Sequence, residues 1–291
     1  AFPTETVYGL GANALDADAV RKIYEAKGRP ANNPLNVLIY DQAQLAELVD
    51  SVPETAQKLM DAFWPGPMTL IFEKTKAVPY ETTGGLDTVA VRMPSHEGAR
   101  QLIESAGVPV AAPSANTSGR PSPTTAEHVK EDLWGRIDMI IDGGLVGIGV
   151  ESTIIDVTEE TPTILRPGHI TKNMIAKVIG TVQMDAGLSG LDQSVKPKAP
   201  GMKYRHYAPK ASMTVIQGKK EAVIRRIEEL AAEYPKEKVG ILATDETLSC
   251  YTHGQVVSAG SRNEHTIEQG LYRALREFDH MGVSVIFSES F

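Results

Sequence analysis

The 291-residue chain has a single cysteine, Cys250, so no intramolecular disulfide can form and a reducing, cytoplasmic setting is expected. Long hydrophobic runs are missing. No stretch approaches the roughly 18 consecutive apolar residues of a membrane helix, so no membrane role is expected. The opening residues Ala1-Phe2-Pro3-Thr4 carry neither a basic nor an apolar leader region, and no signal peptide is read there. Without a secretion signal, Asn116-Thr117-Ser118 is a coincidental match to a glycosylation acceptor. The histidines form no HxxxH pair and have no cysteine partners, so protein side chains are expected to hold no metal. A magnesium ion carried in by a substrate would leave no such signature. A surplus of positive charge is also missing. The net charge of −8 argues against a surface devoted to nucleic acid, although it leaves room for a local basic cleft. There is no Ser-His-Asp order, no reactive lone Cys pattern and no paired catalytic carboxylates.

The length suits two domains. In the first, Asp16 caps a helix to about Lys27, with Val20, Ile23 and Tyr24 on one face and Gly28 ending it. Strands are predicted at 35–39, 69–72, 88–92, 108–112, 137–141, 152–157 and 163–165. Helices are predicted around Leu45–Val49, from Pro53 to Phe63, over 97–105, up to Leu133 from a cap at Thr124 or Thr125, and over 170–178. This reads as a mixed α/β half spanning residues 1–188. Residues 189–212 change character, being rich in Pro, Lys, Gly and Ser without either apolar period, and read as a linker. From 213 to 291, strands at 213–216, 239–243, 255–257 and 283–287 alternate with helices at 220–233 and 265–279. That order implies parallel βαβ units in a second, smaller domain, which is expected to be incomplete because the chain stops after its last strand.

Several polar clusters carry possible chemistry. Lys27-Gly28-Arg29-Pro30 sets two cations at a helix end ahead of a rigid loop. A polyanion such as a nucleotide triphosphate needs such donors, yet cations in a last turn equally offset the helix dipole. The stretch Pro3-Thr4-Glu5-Thr6-Val7-Tyr8-Gly9-Leu10-Gly11 runs from strand into glycines. Pro113-Ser114-Ala115-Asn116-Thr117-Ser118-Gly119 follows a buried strand, where α/β sheets place ligand contacts. Asp142–Gly149 is glycine-rich but matches neither the Walker A nor the dinucleotide fingerprint. Glu151-Ser152-Thr153 starts a strand, and Arg92 and Arg166 each end one. Together these cations, hydroxyls and glycine loops suit a site that binds and orients anions, as nucleotidyl or phosphoryl transfer requires.

These motifs resemble the YrdC/Sua5 family. The stretch from Pro3 to Gly11, Lys27-Gly28-Arg29-Pro30 with Asn33-Pro34-Leu35, Ser114–Gly119 and Glu151-Ser152-Thr153-Ile154-Ile155-Asp156 occur in the family's order. The segment Pro200-Gly201-Met202-Lys203-Tyr204-Arg205-His206-Tyr207-Ala208-Pro209 is similar to the linker of the two-domain members. The resemblance implies a twisted mixed sheet with a concave cavity, followed by a Rossmann-like domain. It also implies a nucleotidyltransferase that converts L-threonine, bicarbonate or CO2, and ATP with Mg2+ into threonylcarbamoyl-AMP and pyrophosphate. The adenylate is then the donor for t6A37 modification of tRNA, passed to a transfer machinery, with no direct tRNA binding required.

Carried over by motif, the resemblance assigns Lys27, Arg29, Ser114 and Asn116 to catalysis and to ATP. Asn33, Thr88, Ser122, Arg166 and Tyr207 are further ATP-side candidates. L-Threonine is expected at Thr6, Leu38, Arg92, Ala112 and Ser152, with the Arg92 guanidinium gripping its carboxylate. Some archaeal relatives have His at the position of Leu38, so any contact there would run through backbone. The alternatives are an RNA-binding or ribosome-associated factor of the same fold and a carbamoylating enzyme with another acceptor.

Overall fold

A computed structural model describes residues 1–189 and 208–291; Tyr207 and most of the predicted linker lie outside the described residues. The first domain runs β1 (Ala12–Asn13), α1 (Ala17–Lys27), β2 (Asn36–Leu38), α2 (Leu45–Leu48), α3 (Glu54–Phe63), β3 (Met68–Glu73), α4 (Tyr80–Thr83) and β4 (Thr88–Arg92). It continues with α5 (Glu97–Ala106), β5 (Val110–Ala111), α6 (Ala126–Leu133), β6 (Thr153–Asp156), β7 (Thr163–Arg166), α7 (Lys172–Ile179) and β8 (Gln183–Met184). The second domain runs β9 (Ser212–Ile216), α8 (Lys220–Ala231), β10 (Val239–Ala243), β11 (Gln255–Ser258), α9 (Glu264–Met281) and β12 (Val285–Glu289). No helix of the described residues is long and apolar enough to cross a membrane.

The first sheet is mixed, in the order β1-β5-β2-β4-β3-β6-β7-β8. Its strands alternate faces, as a period of two requires. Val37, Leu70, Phe72, Val89, Val91 and Ile155 turn to one side and form a core with Val20, Ile23 and Tyr24 of α1 and Ala56, Leu59 and Met60 of α3. Each such side chain fully removed from water contributes about 1.5–3 kcal/mol. The residues between them, Leu38, Ala90, Arg92 and Ile154, therefore face the opposite side. Register places Asn36 beside Ala90 and Leu38 beside Arg92.

The second domain is an all-parallel sheet in the order β11-β10-β12-β9. Helix α9 packs Tyr272, Leu275 and Phe278 against Leu242, Val257 and Ile286, and Val7 of the first domain joins that cluster. The mixed and parallel α/β architecture is as predicted. The strand predicted at 137–141 does not form. Ile137 and Ile140 lean on the main core and Ile141 on a smaller cluster, while Met139 stays exposed. That spacing anchors an irregular segment and lacks the alternation a strand needs. The short elements β1, β8 and α4 are too brief to leave a periodic signal.

Candidate active site

Thr4, Thr6, Val7, Tyr8, Gly9, Arg29, Asn36, Leu38, Arg92, Ala112, Pro113, Ser114, Glu151, Ser152 and Arg166 line a cavity on the face of the mixed sheet opposite its main core. All of Thr6, Leu38, Arg92, Ala112 and Ser152, the residues expected on the threonine side, meet there. From the nucleotide side, Arg29, Ser114 and Arg166 reach the same cavity.

Arg92 ends β4 and is 5% exposed. Its Nη1 donates to Thr6 Oγ1 (2.9 Å) and its Nε to the Gly66 carbonyl (3.2 Å). Nη2 lies 2.7 Å from Glu5 Oε1 as an ion pair, without the angle of a hydrogen bond. The guanidinium plane is thus fixed from three directions. Across the cavity, Ser152 Oγ meets Thr69 Oγ1 at 2.7 Å. Arg166 reaches Ser152 with Nε and Nη2 on the carbonyl (3.1 and 2.9 Å) and Nη2 on Oγ (3.1 Å). Arg166, expected on the nucleotide side, thus binds Ser152, expected on the threonine side, and does not simply reach solvent.

Helix α1 ends in a Schellman turn. Gly28 at φ 61° donates to Glu25 O and Arg29 to Tyr24 O. The turn sends the two cations in different directions. Lys27 is 1% exposed and its Nζ donates to the carbonyls of Ser114 and Asn116, each at 2.5 Å. Burial, and then Arg29, pulls its pKa well below the ordinary lysine value, with Asp132 opposing. Lys27 is thus absent from the cavity lining, and its ammonium pins the loop after β5. Arg29 donates to Asn33 O (3.1 Å) and Pro34 O (2.8 Å), holding the next loop while lining the cavity. Tyr24 donates to Asn33 O (3.2 Å) and Glu81 O (2.9 Å), and burial pushes its hydroxyl up to about 12.

Asn116 donates from Nδ2 to Thr117 O and Arg120 O, closing its loop, and its buried Oδ1 has no hydrogen-bond partner among the described residues. The same holds for Asn33 Nδ2 and Asn36 Oδ1. Such polar atoms favour a ligand that completes them. Ser122 is buried and donates to Glu151. Thr88 sits at the opposite end of β4 from Arg92, about 13 Å along the strand at 3.3 Å per residue, on the same face. Lys27, Asn33, Thr88, Asn116 and Ser122 are outside the cavity lining.

Sequence reasoning gave no role to Glu5, Thr69, Asn36, Tyr8 or Glu151. Glu5 and Glu151 each precede a chosen residue inside a quoted motif, and that adjacency was the available signal. Tyr8 donates to Gly144 O (2.7 Å) and accepts from Gly143 N (3.1 Å), tying down the glycine-rich segment. Ile148 N and Gly149 N then bond to Glu5 O and Thr6 O. The glycine-rich segment is no part of the cavity lining; it hydrogen-bonds Thr6 and Tyr8, which are.

Comparison with known proteins agrees over the full chain. The Sua5/YciO/YrdC family model, described as "Telomere recombination", matches residues 1–168, and one described as "Threonylcarbamoyl-AMP synthase, C-terminal domain" matches residues 170–291. Threonylcarbamoyl-AMP synthase of Bacillus subtilis (strain 168) is 53% identical over 295 residues, covering 100% of this chain and 84% of that protein. The protein of the same name from Pyrococcus abyssi (strain GE5 / Orsay) is 52% identical, covering 99% and 84%. The crystal structure of P. abyssi Sua5 complexed with L-threonine superposes with a TM-score of 0.95 at 52% identity, covering 100% and 84%.

Proposed function

Because the chain belongs to the Sua5/YrdC family of threonylcarbamoyl-AMP synthases, we propose that its cavity joins L-threonine, CO2 from bicarbonate, and ATP into threonylcarbamoyl-AMP and pyrophosphate. It is a nucleotidyltransferase-type enzyme with threonine as a substrate. The observation that carries the reading is the convergence of Thr6, Leu38, Arg92, Ala112 and Ser152 on one cavity that Arg29 and Ser114 also line.

The threonine carboxylate pairs with the Arg92 guanidinium, which Thr6, Gly66 O and Glu5 already hold in place. A preset fork of this kind places the amine without further ordering at the moment of reaction. The deprotonated amine adds to CO2 to give a carbamate. A carbamate oxygen then forms a bond to the α-phosphorus while the bond to the β-phosphate oxygen breaks, its electron pair leaving with pyrophosphate. Arg29 offsets that charge from the cavity wall. Lys27 acts one layer back, holding the Ser114 and Asn116 carbonyls so that the loop presents its hydroxyl and amide to the nucleotide. Mg2+ would be bound through the phosphates it arrives with. The adenylate, a reactive mixed anhydride, goes on to the proteins that build t6A on tRNA in the cytoplasm.

The test is pyrophosphate release from ATP with and without threonine and bicarbonate, with the product identified by mass. Release that needs both, with a product of the mass of threonylcarbamoyl-AMP, is expected. Release indifferent to threonine contradicts the reading.

A further inference from the structure

Helix α9 of the second domain contacts Glu151 in the cavity wall and several segments that stand behind the cavity. Tyr272 donates to Glu151 Oε2, while Ser122 donates to the other oxygen of that carboxylate. Glu151 is 8% exposed and lies beside Ser152 in the cavity wall. One turn on, Arg276 is fully buried and forks onto Asp132, with Nη1 to Oδ1 at 3.2 Å and Nη2 to Oδ2 at 3.0 Å, and Nη2 also reaching Pro121 O at 2.7 Å. Asp132 in turn accepts from Thr117 N (3.0 Å) and pairs with Arg120. These are the residues that fold the loop around Asn116. A third contact runs through the glycine-rich segment. Gln269 donates to Val146 O (2.8 Å), and Gly149, at φ 95°, packs so close to α9 that a Cβ there would lie 2.5 Å from Gln269 Cα. Gly149 N bonds to Thr6 O, so α9 backs the threonine side as well.

We propose that Tyr272 and Arg276 are positioning residues of the catalytic site, through which the second domain sets Glu151–Ser122 and the Ser114–Arg120 loop. The inference rests on the reading of the cavity given above. A buried carboxylate is oriented only when its oxygens are bonded; Glu151 takes one bond from each domain and Asp132 two from each. Without the Tyr272 hydroxyl, Glu151 keeps Ser122 alone and turns with it. Without the Arg276 fork, buried Asp132 retains one cation, and the loop it caps loosens.

The experiment uses the full chain. Tyr272→Phe keeps the ring in its apolar cluster and removes only the donor. Its KM for ATP is expected to rise about tenfold with a small drop in melting temperature from the acceptor it leaves without a donor, and Ser122→Ala added to it should raise that KM little further, since both act through one carboxylate. Arg276→Gln is expected to lower stability and turnover and to raise the KM for ATP, and the pair Arg276→Gln with Asp132→Asn should regain stability but not the ATP KM. His280→Ala, which removes an exposed contact to Glu131 across the same interface, should leave all constants unchanged. A wild-type chain that turns over beside a Tyr272→Phe chain with unaltered constants, or strictly additive losses in the double variant, overturns the inference alone. A wild-type chain with no threonine-dependent pyrophosphate release overturns the reading of the cavity and this inference with it.

Discussion

The two sides of the cavity are held by different means. On the side proposed for threonine, Arg92 and Leu38 stand on paired strands whose register sets them beside one another, and Ser152 directly precedes a third strand. On the side proposed for the nucleotide, Lys27, Arg29, Ser114 and Asn116 stand on a helix end and on loops. Those loops are fixed by Lys27 on two carbonyls, by Asp132 on a backbone N–H, and by Arg276 from the other domain. A strand end inherits its position from the ladder, whereas a loop needs tertiary anchors, each a buried charge with a specific partner. The threonine side should therefore respond to mutation locally, and the nucleotide side through residues that never touch a substrate.

Lys27→Met breaks the comparison at its strongest point. Pyrophosphate release is expected to vanish, and urea unfolding should show a stability loss, since each carbonyl left without a donor costs about 1–3 kcal/mol. Retention of full stability would show that the loop has other anchors. Arg29→Gln comes next: the fork on Asn33 O and Pro34 O is lost, and steady-state kinetics should show turnover down roughly a hundredfold with KM for ATP raised and KM for threonine little changed. Ser152→Ala, on the strand side, should raise the threonine KM about five- to tenfold, the worth of roughly 1 kcal/mol, with the melting temperature nearly constant.

The smallest effect concerns pH. His128 sits under the nucleotide loop, its Nδ1 facing Thr124 N at 3.2 Å, and burial, then Arg276, pulls it down to about 4 from 6.5. Below pH 6.5 the unfolded chain takes up this proton while the folded chain resists it until about 4. Its contribution is thus fully present above 6.5 and is lost as pH falls toward 4. Melting curves across that window should decline for the native chain and flatten for His128→Asn.

The same contrast explains what the sequence could reveal. Helix α1 was legible because Asp16, the apolar spacing and Gly28 all act within one segment, whereas the meeting of Thr6, Leu38, Arg92, Ala112 and Ser152 in one cavity depends on the sheet and was expected from the resemblance alone. The carbonyl contacts of Lys27 were not legible, since its partner Ser114 lies 87 residues away and nothing local marks the pairing. The Arg276–Asp132 pair spans 144 residues, and neither residue sits in a recognisable motif. The strand predicted at 137–141 failed because three isoleucines can fasten a segment to a core without alternating. Glu5 and Glu151 were passed over since their value lies in holding Arg92 and Ser122, which only geometry shows.

Equilibrium titration of L-threonine and of ATP into the native chain and into Arg92→Gln tests the division of the cavity most directly. Removing one partner of a buried charge pair costs about 2–4 kcal/mol, so threonine affinity should fall roughly 30- to 800-fold while ATP affinity stays within threefold. Unchanged threonine binding, or equal losses for both ligands, would contradict the placement of threonine on Arg92 and the separation of the two sides.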